Sequence, residues 1–130
     1  MNHGNKDKVV YPELSYQIIG MLFEVWNEIG YSHKERYIQK AIAKIFHKNG
    51  ILFKEQVKTD LEFRDEKIGL YFFDFLVDEK IILEIKRREY FLKNDINQVY
   101  SYLKASGLKL GIIVCFSSKG IKFKRILNIR

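Results

Sequence analysis

Two apolar runs separated by the residues DEK, Tyr71–Val77 and Ile81–Ile85, constrain the fold of this 130-residue chain more than any other feature. Runs rich in Phe, Ile, Leu and Val around a short charged turn are typical of a β-hairpin. Each run nevertheless contains an acidic residue, which a fully buried strand would not be expected to have. Asp74 interrupts the first run and Glu84 interrupts the second, so a fold for this chain has to account for both acids.

The length of the loop fixes how the two strands pair. A three-residue loop over Asp78–Lys80 places Asp74 opposite Glu84, with their Cβ atoms about 4.5–5.5 Å apart on one face of the sheet. Lys86 lies two residues further on and shares that face. A two-residue turn would shift the pairing by one and set Asp74 on a face with Leu83. The other pairs that the three-residue loop predicts are Val77 with Ile81, Leu76 with Ile82 and Phe75 with Leu83.

Two opposed acids on a partly buried face favour a cation between them. Leaving both charged costs on the order of several kcal/mol unless a positive group lies close by. Lys86 offsets part of this charge, and a divalent cation offsets more, because hard cations bind clustered carboxylate oxygens. The pattern therefore indicates a metal site on the hairpin. The alternative is a solvent-facing side on which Asp74, Glu84 and Lys86 are hydrated.

Two amphipathic helices are predicted before the hairpin. The first spans Tyr11–Ile29, and the second runs to Lys48 with Ser32 as its N-cap and Glu35 three residues later, a capping-box pattern. Glu35 also continues the apolar stripe that includes Ile38, so its charge is expected at the rim of the sheet. There it would add a third carboxylate to Asp74 and Glu84. The alternative is that Glu35 serves only as a cap.

The rest of the chain predicts an α/β (α+β mixed) fold in the order α-α-β-β-β-α-β-β, with a central mixed sheet flanked by helices. The third helix links two strands that can lie parallel in one sheet. We expect residues 1–10 to be a loose segment and residues 11–130 to form one domain. The predicted strands and third helix span 52–63, 69–77, 81–87, 92–106 (the helix), 109–117 and 120–129.

Composition and charge narrow the class of partner. The net charge of +7 favours an anionic partner such as nucleic acid. Hydrophobic residues make up 47% and charged residues 30%, as in a folded rather than a disordered protein. No apolar run approaches the roughly 18 residues of a membrane span. One cysteine, Cys115, excludes an internal disulfide, so we expect a cytoplasmic protein without a membrane partner.

Further candidate residues lie in the second half of the chain. Gln98 and Tyr102 are four apart and share one face of the third helix, where they either reach a polar site or form an ordinary helix flank. Lys122 and Lys124 alternate along the last strand and form either a phosphate-binding face or a solvated edge. The basic residues that are candidates for phosphate contacts are Lys104, Lys109, Lys122, Lys124 and Arg125.

Taken together, these residues resemble the PD-(D/E)XK nuclease superfamily. The resemblance rests on Asp74 and the Glu84-Ile85-Lys86 triplet, preceded by a helical Glu and followed by Gln-x-x-x-Tyr. More closely, the chain is similar to the small bacterial and archaeal GxxExxY family of that superfamily. The similar stretches are IGYSHKERYIQKAI, GLYFFDFLVDEKIILEIK and INQVYSYLKASGLKLGIIVCFSSKGIKFKRI. Two positions depart from that family's motif, since Ser32 replaces a glycine and Ile38 replaces the tyrosine, with Tyr37 one residue earlier.

The resemblance implies a role for each candidate residue. Asp74, Glu84 and the backbone carbonyl of Ile85 would hold Mg²⁺ or Mn²⁺, with Glu35 bound to the metal directly or through water. Lys86 would orient or help to deprotonate the attacking water. Gln98 and Tyr102 would position the nucleic-acid backbone or the waters of the metal.

The function that follows is a metal-dependent nuclease that hydrolyses phosphodiester bonds, with DNA favoured over RNA as substrate. A homodimer would let two such sites address two strands. Two other classes remain open at this stage. One is a nucleic-acid-binding module that keeps the fold but does not cleave, and the other is an interaction protein with solvated charges.

Overall fold

A computed structural model describes residues 10–129. Three helices and five strands follow one another in the order that the sequence predicts, which confirms the predicted α/β architecture with its mixed sheet. The elements are α1 (Pro12–Ile29), α2 (Glu35–Lys48), β1 (Phe53–Phe63), β2 (Glu66–Val77), β3 (Ile81–Lys86), α3 (Lys93–Ser106), β4 (Leu110–Ser117) and β5 (Gly120–Leu127).

The five strands form one sheet in the order β1-β2-β3-β4-β5. The β3–β4 pair is parallel and the other pairs are antiparallel. The parallel pair is the one joined by α3, because a parallel connection needs a crossover long enough to hold a helix. Three of the four predicted hairpin pairs are confirmed, with Phe75 opposite Leu83, Leu76 opposite Ile82 and Val77 opposite Ile81. The predicted pair of Asp74 with Glu84 is not part of the ladder, because the regular pairing ends at Phe75 and Leu83.

The loop between β2 and β3 has the backbone of a tight hairpin turn. Asp78 and Glu79 have φ values of 53° and 57°, and the Lys80 N–H donates to the Val77 carbonyl at 2.9 Å. Positive φ at both central residues gives the turn a twist that matches the flanking strands. Glu79 is also held by Lys54 of β1, 2.9 Å away. The loop therefore fixes the register on which the position of the two acids depends.

The sheet separates two apolar cores. On one face α1 and α2 pack over Phe75, Leu83 and Ile85 together with apolar residues of β4, which are Leu110, Ile112, Val114 and Phe116. On the other face α3 packs through Val99 and Leu103 on a smaller cluster. That smaller cluster also contains Phe73, Leu76, Ile82, Ile113 and Ile126.

Strands β1 and β2 both change faces near Asp74. In a regular strand Phe73 and Phe75 would share a face, yet Phe73 packs beneath α3 and Phe75 packs beneath α1 and α2. Gln56, which lies in β1 between the residues paired with Phe73 and Phe75, has a φ of 50°. The two strands thus turn over together, and their outer halves run on as a two-stranded ribbon beyond the end of the β2–β3 pairing.

The predicted start of α2 is wrong. The helix begins at Glu35 with Lys34 as its N-cap and without a side-chain cap. Ser32 lies two residues before this N-cap. Its carbonyl instead accepts a hydrogen bond of 3.1 Å from the Arg87 guanidinium, which follows β3. Glu35 is consequently the first residue of the helix rather than the third of a capping box, and its carboxylate has another partner.

Several other predicted boundaries differ from the structure by one to three residues; for example, β5 ends at Leu127 rather than Ile129. One prediction is outside the described range. β2 begins at Glu66 rather than Gly69, because Glu66 pairs with Phe63 at the tip of the ribbon. β3 ends at Lys86 instead of Arg87. The loose segment predicted for residues 1–10 lies outside the described residues except for Val10. Among residues 10–129, no helix has both the length and the apolar character needed to cross a membrane.

Gly111 sets how closely α3 approaches the sheet. A Cβ atom added at Gly111 would lie 2.4 Å from Val99 Cγ1 of α3. We expect Gly111→Ala to lower the free energy of unfolding by about 1–3 kcal/mol, because α3 or β4 must shift. Denaturant titration measures this change. The same substitution at Gly20, whose added Cβ has no atom within 4 Å, is the control and should not destabilise. Equal losses at the two positions would contradict the packing argument.

Candidate active site

Asp74 and Glu84 join β2 and β3 through their side chains. The Asp74 N–H donates to Glu84 Oε1 at 3.0 Å, and the Ile85 N–H donates to Asp74 Oδ2 at 2.7 Å. Each acid therefore accepts a backbone N–H from the opposite strand just beyond the last ladder pair, Phe75 with Leu83. The two residues are buried, with 9% of Asp74 and 3% of Glu84 exposed. The solvent-facing hairpin considered from the sequence does not describe them.

The second oxygen of each acid faces a different layer of the molecule. Gln39 of α2 donates from Nε2 to Asp74 Oδ1 at 2.8 Å, and Gln56 of β1 donates to Gln39 Oε1 at 3.2 Å. On the other side of the sheet, the Tyr71 hydroxyl donates to Glu84 Oε2. The two carboxylates thus lie at a gap in the sheet where both faces meet.

Lys86 lies beside this pair and is held by two acids. Its ammonium is 3.7 Å from Glu84 Oε2 and 3.9 Å from Asp95 Oδ1 at the start of α3. Arg88 fixes Asp95 from the other side, at 2.8 Å. Lys86 is mostly enclosed, with 19% of its side chain exposed. The lysine is therefore positioned at the mouth of the gap without a short hydrogen bond that would occupy it.

Glu35 reaches the same end of β3 but is used differently from Asp74 and Glu84. Its Oε2 accepts the Arg87 N–H at 3.0 Å, and its charge is close enough to raise the pKa of Asp74 slightly. Within residues 10–129, no three His, Cys, Asp or Glu side chains converge closely enough to form a ready metal-binding group. The structure brings Asp74, Glu84 and Lys86 together and leaves Glu35 at the edge of the site.

The electrostatics of the pair favour an added positive charge. Burial, followed by the charge of Glu84, raises the pKa of the Asp74 carboxyl to about 8, although the Ile85 N–H acts in the opposite direction. Burial and the hydrogen bond to Glu84 raise the pKa of the Tyr71 hydroxyl as well. A carboxyl group that keeps its proton near neutral pH lacks the nearby positive charge that would stabilise its ionised form. Its oxygen donors are of the kind that Mg²⁺ and Mn²⁺ bind, so the donor set fits such an ion.

Gln98 and Tyr102 lie on α3 and line a cleft of about 680 Å³ between this helix and the β1–β2 ribbon. The Tyr102 ring packs on Phe73, with ring centres 4.9 Å apart. Phe73 in turn packs edge-on against Tyr71, with centres 4.7 Å apart. The two α3 residues therefore neighbour the acids through Tyr71 and the cleft rather than by direct contact.

The predicted basic residues do not form one patch. Lys122 lies in the same cross-strand row as Lys86, separated from it by Cys115 of β4. Lys122 Nζ donates to the Glu89 backbone oxygen at 2.6 Å, and Lys124 lies 5.9 Å from the centre of the Phe91 ring. Both lysines thus contact the loop that follows β3, as expected for neighbours on one face.

The other three basic residues lie elsewhere. Lys104 is on the last turn of α3, where its ammonium is 5.7 Å from the Tyr100 ring. Lys109 precedes β4 at the end of the sheet opposite Lys86. Arg125 donates to the Val10 carbonyl and so faces the opposite side of β5 from Lys124. Of the five predicted residues, Lys122 and Lys124 are the two that contact the loop after β3.

Sequence reasoning missed Gln39, Tyr71 and Asp95. Gln39 follows Glu35 by four residues on one helix, a spacing that places both on one face, so its position could have been found. Asp95 precedes Gln98 by three residues, a spacing that also places two residues on one helix face, so its position could have been found in the same way. Tyr71 could not have been assigned, because regular alternation along β2 would have put it on the face opposite Asp74.

The raised pKa of Asp74 predicts how stability depends on pH. In the folded state the Asp74 carboxyl binds a proton with a pKa of about 8, well above the ordinary 3.8. Proton binding at Asp74 therefore stabilises the folded state fully below about pH 4, and this contribution is lost as the pH rises towards 8. Asp74→Asn removes this titration. In metal-free buffer, the free energy of unfolding of the wild type should fall relative to the variant, by up to about 1.4 kcal/mol per pH unit. Urea titrations between pH 5 and 8 measure it, and a constant difference would refute it.

Comparisons with known proteins agree with this fold. A family model described as the PD-(D/E)XK nuclease superfamily matches residues 12–126. The crystal structure of SSO0001 is similar in fold, with a TM-score of 0.54 and 15% sequence identity. That similarity covers 74% of this chain and only 50% of SSO0001. A search of the curated proteins gave no match. With the family model covering almost the whole described chain, the protein belongs to the PD-(D/E)XK nuclease superfamily.

Proposed function

We propose that this protein is a metal-dependent nuclease that hydrolyses phosphodiester bonds, with DNA as the first substrate to test. The observation that carries the proposal is the buried pair Asp74 and Glu84, coupled at one gap in the sheet with Lys86 beside it. Burying two acids side by side is unfavourable for folding unless a positive group offsets their charge. Such groups are found where they serve chemistry.

The residues that would hold Mg²⁺ or Mn²⁺ are Asp74, Glu84 and the backbone of Ile85. The Ile85 N–H points into the gap towards Asp74, and in an extended strand the carbonyl of a residue points to the same side as its N–H. Three oxygen donors from β2 and β3 thus border one space. Glu35 would contribute through water, because its carboxylate is bonded to the Arg87 N–H. When bound, the ion would polarise a phosphoryl oxygen and lower the pKa of a water.

The side chains around the acids have distinct tasks in the proposed reaction. Lys86 would orient the attacking water and stabilise the negative charge that develops on the phosphoryl group. Asp95 positions Lys86, and Arg88 positions Asp95. Gln39 and Tyr71 hold the two carboxylates in place from opposite faces of the sheet. Gln98 and Tyr102 would contact the nucleic acid from α3.

The finer placement that we propose is the GxxExxY family. The three long similar stretches support it, and the structure accounts for one departure from the motif. Ile38, at the position of the family's tyrosine, is fully buried in the core beneath α2. Tyr37 beside it is exposed and packs with Arg36. The change therefore exchanges a polar side chain for a core residue and leaves Asp74, Glu84 and Lys86 in place.

Removal of the Lys86 charge is the direct test of catalysis. We expect Lys86→Ala to lower Mn²⁺-dependent cleavage of DNA by about 10²- to 10⁴-fold, the range of a positioned acid–base or electrostatic group. Nicking of a labelled strand measures the rate, with RNA assayed in parallel. Lys44→Ala is the matched control, because Lys44 is an exposed lysine on α2 outside the site. Cleavage that survives Lys86→Ala would point to another site, and salt-sensitive binding without cleavage would favour a binding module.

Metal binding is tested separately from cleavage. We expect Mn²⁺ to raise the Tm of the wild-type protein, because an ion that binds only the folded state stabilises it. The increase should be absent from Glu84→Gln, which keeps the shape of the side chain but loses its charge. Asp60→Asn is the control, since Asp60 is a half-exposed acid paired with Lys67 on the ribbon. An equal increase in Glu84→Gln would rule out the acid pair as the ligand.

A further inference from the structure

The cleft between α3 and the β1–β2 ribbon has an aromatic floor. Tyr71, Phe73 and Tyr102 line it and contact one another ring to ring. Its volume of about 680 Å³ exceeds the smallest of the usual ligand pockets, which begin at about 300 Å³. Phe73 is buried between the two tyrosines, whereas the rings of Tyr71 and Tyr102 are partly exposed and offer a stacking partner to a flat, uncharged group.

One wall of the cleft is a polar stripe along α3. It consists of Asn94, Asn97, Gln98 and Ser101, whose spacing of three, four and seven residues places them on one helix face. Amide side chains both donate and accept hydrogen bonds. Asn and Gln are the side chains that pair with the edge of adenine. The wall is thus suited to a ring that carries donors and acceptors at its edge.

The side chains that line the cleft disfavour a phosphate as its occupant. Asp60 and Glu62 line the ribbon side, with Lys67 3.4 Å from Asp60, and among residues 10–129 no Lys, Arg or His lines the cleft. Carboxylates repel phosphate but accept hydrogen bonds from exocyclic amino groups, as on cytosine. The chemistry therefore matches a nucleobase and places the sugar–phosphate chain outside.

The cleft adjoins the acid pair through one residue. Tyr71 lines the cleft and donates its hydroxyl to Glu84, so an occupant that stacks near this ring lies next to the carboxylates. A base inside a duplex has its faces stacked and its pairing edge occupied. Only an unpaired base, in single-stranded or locally opened nucleic acid, can offer its ring and edge to such a cleft.

We propose that this cleft binds an unpaired nucleobase beside the scissile phosphate, so that the enzyme acts on single-stranded or locally unpaired strands. The proposal rests on the proposed nuclease function for the phosphate site. The base site itself rests on the aromatic floor, the amide stripe and the carboxylates of the ribbon.

The experiment uses the full chain and single-stranded DNA that contains 2-aminopurine, with Ca²⁺ in place of Mg²⁺ or Mn²⁺. When the protein is added, stacking on the aromatic floor should lower the fluorescence of this base in the single strand. The fluorescence of a blunt duplex of the same sequence should not change on addition of the protein. Ser101→Trp fills the cleft from α3 and should raise the Kd for the single strand about 5- to 100-fold, the range that stacking of one base contributes.

Tyr100→Trp is the matched control, because it adds bulk on the same helix at an exposed position outside the cleft. Its Kd should match the wild type. Asn97→Ala is a second variant that removes an amide without filling the space, so the test survives if Ser101→Trp fails to fold. We expect Asn97→Ala to weaken binding of the single strand in the same direction.

The outcomes separate this inference from the proposed function. Quenching that is lost in both cleft variants, with faster cleavage of single strands than of duplex, supports both. Cleavage of duplex and single strand at equal rates, unchanged in the cleft variants, overturns the base site and leaves the nuclease. Quenching without any cleavage supports the base site and overturns the catalytic proposal. Equal Kd values for the wild type and both cleft variants overturn the base site.

Discussion

The rest of the site depends on two hydrogen bonds in which the carboxylates of Asp74 and Glu84 accept backbone N–H groups across β2 and β3. Each carboxylate takes an N–H from the opposite strand, at the point where the regular β2–β3 pairing ends. A buried N–H without a partner would cost about 1–3 kcal/mol. The acids satisfy these groups while the strands separate, and the gap that results is the one that borders both faces of the sheet.

The separation of the strands also explains the layout around the gap. Beyond Asp74, β2 pairs with β1 and no longer lies in the β2–β3 ladder. The two strands turn over together near Gln56, which brings Tyr71 and Phe73 to the α3 side. The same local irregularity thus places Gln39 against one acid and Tyr71 against the other. The cleft beside α3 is a further product of this turn.

The sequence predicted the parts of the structure that follow from local rules. Loop length determined the hairpin register, and apolar periodicity determined the helices and the crossover, because these depend on neighbours along the chain. The start of α2 was predicted incorrectly because the Arg87 guanidinium, distant in sequence, binds the Ser32 carbonyl. The role of Tyr71 was out of reach, since it depends on a reversal of strand faces that period-two alternation does not contain. For Asp95 and Gln39, helix spacing indicates which face of the helix each residue lies on. It does not indicate which residue of another element each one contacts.

The double use of the two acids changes what their presence in a related chain would mean. Asp74 and Glu84 complete backbone hydrogen bonding in a buried hairpin, so they would keep this structural role in a relative that had stopped cleaving nucleic acid. Within residues 10–129, Lys86 makes two ion pairs, at 3.7 and 3.9 Å, and neither of them joins β2 to β3. Under the proposed function, the lysine rather than the acid pair is therefore the position to compare between a relative that cleaves and one that has kept only the architecture.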